Sequence, residues 1–129
     1  MAISLYDATA PTFLQMLGSL RGVLEKARAH ALAAGFDPDE LVEARLIADM
    51  FPLRLQVENV ARHSQHALAD VAKGAFTMPG APVEYDYAGL QRLVAEAEAA
   101  VSGWTREAVD ALEGREVVLD TGAHKIPLM

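Results

Sequence analysis

The residues best placed to do chemistry fall on one stretch: Gln56, Asn59, His63, His66 and Asp70 recur at 3-4-3-4 spacing. On a helix turning about 100° per residue, that spacing stacks them into a single polar stripe beside an apolar seam. Imidazole and carboxylate together suit several first-row metals, so His63, His66 and Asp70 are a conceivable ligand set. The same five residues equally describe the polar floor of a small-molecule pocket, or a solvated flank with two ordinary surface histidines. They are taken here as the candidate ligand-binding residues, with no catalytic residue, metal site or cofactor assigned.

Other chemistry-bearing residues have plainer readings. His30 and His124 stand alone, and His124 meets His63 only if the C-terminal segment folds over that helix. Glu96, Glu98, Glu107 and Asp110 lie off the apolar seam of their helix, where a paired acid and base would lack the pocket that separates their pKa values. Ser64 has neither a Gly-x-Ser-x-Gly turn nor a positioned base, and reads as a small packing residue. Tyr87, Trp104, Met16 and Met50 read as core. No dinucleotide fingerprint, phosphate loop or His-Glu-x-x-His motif occurs.

The elements that position these residues follow from periodicity. Thr9 and Pro11 open a helix over 10–34, with Phe13, Leu17, Leu20, Leu24, Ala27, Ala31 and Ala34 as its 4-3 seam and Gly35 as its stop. Asp37-Pro38 starts a short helix over 38–45. A second long helix spans 52–73, its seam Leu53, Val57, Val60, Ser64, Ala67 and Val71, ending at Lys73-Gly74. Residues 75–84, with Pro79, Gly80 and Pro82, read as an extended connection. Asp86 caps a third helix over 86–112, with a break near Ser102-Gly103 and a restart at Thr105. Residues 115–128 then read as strand, turn and strand, a hairpin that must lean on the helices. The fold class expected is all-α: three long antiparallel helices, one short helix and a C-terminal β-hairpin, in a single domain.

Composition narrows the function classes. The chain has 129 residues, 52% hydrophobic, with 11 Lys and Arg against 18 Asp and Glu, for a net charge of −7. That balance opposes the counterion-release binding of nucleic acids and attraction to anionic membranes. The absence of cysteine removes disulfides, thiolate nucleophiles and Cys-type metal sites. No apolar run is long enough to span a bilayer, and the first seven residues do not resemble a secretion signal, so a cytoplasmic protein is expected.

Several segments resemble an uncharacterised bacterial family, a domain of unknown function in the DinB/YfiT-like superfamily. They are Ser4-Leu5-Tyr6 leading into Pro11-Thr12-Phe13-Leu14, the block Ala44 through Leu53 with Asp49-Met50-Phe51-Pro52-Leu53 at its end, Gln56-Val57, and the closing hairpin. The resemblance implies a four-helix bundle, often a metal-dependent transferase, hydrolase or isomerase with one histidine on helix two and a His-x-x-x-His pair on helix four. It places Asn59 where helix two carries its ligand, and the sequence ends at Met129, just past the hairpin, before any fourth helix. On that reading the metal site is degenerate.

Three functions compete: a non-catalytic, oligomerising bundle protein, a small-ligand binder using the helix-two stripe, and a metal-dependent enzyme of the DinB/YfiT type. The expected partner is a second copy of the chain. A bundle short of one helix leaves an apolar groove of roughly 800 Å², above what monomers usually expose. The faces carrying Leu17, Leu24, Val60, Val94 and Val101 are expected to line it. Covering such a groove is worth on the order of 20 kcal/mol per subunit as an upper bound, against about 4–15 kcal/mol for lost rigid-body freedom. A homodimer is the expected result.

Overall fold

The computed structural model describes residues 2–128. Helix α1 (Leu5–Ala8) is a single turn capped by the Ser4 hydroxyl, which accepts from the Asp7 amide at 3.1 Å. No periodicity in so short a segment announces it, and it changes the role of Thr9. The Thr9 hydroxyl donates back to the Leu5 carbonyl at 2.7 Å and does not cap the next helix. Helix α2 (Ala10–Ala34) runs as expected, with Pro11 in its first turn and Gly35 in the left-handed conformation at φ 82°. The amides of Gly35 and Phe36 close its last turn on Ala31 and Leu32.

The short helix expected over 38–45 is only a 3-10 turn, Pro38–Leu41, capped by Asp37. It stops because the backbone beyond it has other partners. The carbonyls of Val42 and Ala44 accept from Arg54 and Leu53, at 2.9 Å each, and so anchor the start of the next helix. That helix is α3 (Leu53–Ala61), a π segment (Arg62–His66) and α4 (Ala67–Lys73), one continuous rod ended by Gly74 at φ 79°. Helix α5 (Tyr87–Ser102) is capped by Asp86, and the expected break follows, with Thr105 capping α6 (Arg106–Asp110).

The hairpin forms, β2 (Val117–Asp120) pairing antiparallel with β3 (Lys125–Leu128), Leu119 opposite Ile126. It is not alone. Ala75–Thr77, expected as irregular connection, is strand β1 and pairs parallel with β2, Phe76 opposite Leu119. The all-α reading with strands confined to a hairpin is therefore corrected to a mostly helical chain with a three-stranded mixed sheet, order β1-β2-β3. Three residues are too short to show a period, and the Pro79-Gly80 signal beside them dominated the reading. Physically, β1 gives the hairpin the third strand and the helical contact that a two-stranded ribbon lacks.

The core lies where α2 and α3 pack on α5. Ala10, Leu17, Leu24 and Ala31 recur every seven residues along α2, and α5 answers with Leu90, Val94, Ala97 and Val101, all essentially inaccessible. Tyr87 is buried with them, its hydroxyl donating to the Leu24 carbonyl at 2.6 Å. This overturns one expectation: Leu17, Leu24, Val94 and Val101 do not line an open face. Only Val60 of the five named residues is partly exposed. Among the described residues no helix is long and apolar enough to cross a membrane.

Candidate functional site

The π segment decides where the polar stripe goes. An i→i+5 turn holds one residue more than an α turn, so the helix beyond it lags by roughly 100°. Gln56, Asn59 and His63, ahead of or early in that segment, line a depression with Phe13, Met16 and Val60 between α2 and α3. His66 and Asp70, at and beyond its end, line a different one with Glu58, Arg62, Lys73 and Tyr85. The five residues expected to share a face therefore do not form one site.

Within the first depression, Gln56 donates to the Phe51 carbonyl at 3.3 Å, while Asn59 and His63 are exposed to solvent. The Ser64 hydroxyl at its base is buried and donates to the carbonyls of Val60 and Ala61, at 2.8 and 3.0 Å. That use fits the packing role read from the sequence. No Asp, Glu, Lys or Arg lines this depression.

The second depression, about 450 Å³, mixes charges of both signs. Glu58 is answered by Arg54 at 3.2 Å, and Asp70 faces Lys73 at 3.9 Å. Burial, with Glu58 and Glu96 nearby, raises the Tyr85 phenol above its ordinary pKa, so it remains a neutral hydroxyl. Arg62 lays its guanidinium over the Phe76 ring, 5.1 Å from the centroid, and also donates to the Thr77 carbonyl. It tethers β1 to the rod. Sequence reading missed Arg62 here because the strand it holds was itself not recognised. Among the described residues no three His, Asp or Glu side chains come together to hold a metal ion. His124 sits in the hairpin turn, its amide donating to the Thr121 hydroxyl at 3.0 Å.

The larger feature is the space between α2 and the α3–α4 rod. Both lie on α5, yet they barely touch one another. Three depressions run along the gap. One, near Leu53, shares Gln56 with the depression around Met16 and Asn59, and that one shares Phe13 with a cavity of about 580 Å³ beside α4 and the sheet. Together they make one groove along the molecule. Ala27 of α2 shares its depression with Leu53 of the rod, Phe13 and Met16 share theirs with Val60, and Phe13 also meets the cavity lined by Ala67; Phe13 and Ala27 are half-buried and Met16 is 59% exposed.

Comparison with known proteins adds a family and no more. A family model described as "Domain of unknown function (DUF1993)" matches residues 5–129. No curated protein and no solved structure matches the chain. With the match running from Leu5 through Met129, the chain belongs to the DUF1993 family, a domain of unknown function.

Proposed function

We propose that this is a non-catalytic bundle protein of the DinB/YfiT-like kind that works by association, its groove between α2 and the α3–α4 rod receiving the same face of a second copy. The observation that carries this reading is the groove itself: an apolar channel lined by Met16, 59% exposed, while Leu17, next to it in the chain, is fully packed. The middle of the channel is lined by no Asp, Glu, Lys or Arg. In a chain of net charge −7, that is the surface where two copies meet with least repulsion. A groove flanked by two antiparallel apolar walls suits an isologous two-fold pair, each copy presenting the ridge that the other lacks. Gln56, Asn59 and His63 at its edge are polar rim in this reading, with no metal held.

Because the chain has no cysteine, single cysteines report cleanly. Met16→Cys is expected to resist thiol labelling at high protein concentration and to react freely on dilution. Glu98→Cys, beside Arg21 and outside the groove's lining, is expected to react alike at both. Equal, concentration-independent labelling at the two positions contradicts the proposal.

A further inference from the structure

Between the 3-10 turn and α3 the chain displays large apolar side chains that its own fold does not cover. Leu46 is 92% exposed, Ile47 64% and Phe51 66%. The loop that carries them is tied at several points. The Leu53 amide closes its base on the Ala44 carbonyl at 2.9 Å, and the Met50 amide turns it on the Ile47 carbonyl at 3.1 Å. From inside the loop, the Arg45 guanidinium donates to the Met50 carbonyl at 3.0 Å and to that of Ala48 at 3.4 Å. The ordering cost is met within the fold, so the loop presents a held apolar knob.

The knob stands at one end of the groove between α2 and the rod, where Leu46 and Phe51 border the depression shared by Ala27 and Leu53. At the other end is the half-open hollow of about 580 Å³, walled by Phe13, Leu68, Val71, Phe76 and Val117. From Phe13 to Ala27 the groove follows α2 for about 21 Å at 1.5 Å per residue. One end therefore projects apolar side chains and the other recedes behind an apolar wall. The ends also differ in charge. Among the described residues, Arg45 is the one ionisable group lining the depression at the knob end. The hollow has Asp70 and Glu113 on its rim, with Arg115 already donating to the Ala72 carbonyl at 3.1 Å.

A two-fold pair joined groove to groove has its axis along the groove or across it. Along it, knob meets knob, and each hollow brings Asp70 and Glu113 towards the same residues of the other copy. Across it, each knob meets the other copy's hollow, and Arg45 approaches the acidic rim. Resting on the association proposed above, we infer that the grooves run antiparallel, with Leu46 and Ile47 of each copy entering the hollow of the other. What fills the hollow is then a segment of this same chain, contributed twice in every dimer.

The test uses single cysteines in a chain that has none, Leu46→Cys at the knob and Val71→Cys in the hollow, with a short bismaleimide as the probe. Each variant is treated alone and after the two are mixed to exchange subunits. The mixture is expected to give a covalent dimer on denaturing gels, and either variant alone to run as the monomer. Leu46→Asp, at an exposed position that the fold tolerates, should raise the dissociation constant of the dimer about a hundredfold, since each dimer holds the contact twice. Light scattering on the same samples reads association by itself. Dimers in which Leu46→Cys links to its own kind, dimers that fail to link in the mixture, or a Leu46→Asp chain that associates as tightly as the native one overturn the antiparallel arrangement and leave association standing. A monomer mass at every concentration removes both.

Discussion

Helix α2 carries two apolar stripes with different fates. Ala10, Leu17, Leu24 and Ala31 are sealed from solvent, each no more than 1% exposed, with Leu17 and Leu24 in the core shared with α5. One step round the same helix, Phe13, Leu20 and Ala27 are half-covered, and Met16 and Val23 stand largely in solvent. The sealed side is also latched by polar contacts between helices: Arg21 to Glu98 at 2.8 Å, Gln91 to Glu25 at 3.1 Å, and Tyr87 to the Leu24 carbonyl. Among the described residues no ion pair crosses the groove on the other side. The difference is one of burial along a single helix. One stripe is packed in the core, and the other stays partly open to solvent.

The sharpest way to break this contrast is to truncate one residue from each stripe. Leu17→Ala should cost about 2–5 kcal/mol in denaturant unfolding, through lost transfer energy and the cavity left behind. Met16→Ala, measured at dilution where association is absent, should change stability by about 0.5 kcal/mol or less. Comparable losses at the two positions would mean the stripes do not differ. A smaller effect sharpens the polar side of the contrast. Tyr87→Phe removes the hydroxyl from the Leu24 carbonyl and should cost about 1 kcal/mol, with helical content unchanged by circular dichroism.

The smallest effect belongs to acid. The Arg28 guanidinium, with help from Gln91, holds the Glu25 carboxyl down at about 2, against its ordinary 4.5. A carboxylate depressed in the folded state adds stability above its unfolded pKa and loses it as pH falls toward the folded value. The Glu25 contribution should therefore be whole above pH 4.5 and fade between there and about pH 2. Because Glu25 is solvent-exposed, the effect is modest and shrinks with salt. Thermal melts of Glu25→Gln should show a shallower decline than the native chain over that window. An unchanged decline would leave Glu25 outside the latch.

How much of this was legible in the sequence depends on the length over which a signal repeats. Helix α2 repeats its period for seven turns and is bounded by Pro11 and Gly35, so its span and its apolar residues could be read directly. Asp86 and Thr105 announced α5 and α6 through cap chemistry. What periodicity does not carry is which of two adjacent stripes meets a neighbour, and Leu17 and Leu24 were accordingly assigned to the open face when they are the core. The candidate site failed for a different reason. Gln56, Asn59, His63, His66 and Asp70 form a stripe only if the helix is α throughout, and the turn from Arg62 to His66 is not. Nothing in Arg-His-Ser-Gln-His marks a π turn. Strand β1 was hidden by brevity, its pairing with β2 spanning more than forty residues of chain.

The central claim is that the free stripe of α2 is covered by a second copy of the chain. Light scattering across a concentration series tests it most directly, on the native chain and on Met16→Asp. The account predicts that the native chain at tens of micromolar has twice its 13.9 kDa mass. Met16→Asp, equally folded by circular dichroism, should stay at the monomer mass. A native chain that remains at 13.9 kDa throughout, or a Met16→Asp variant that associates just as tightly, would contradict it.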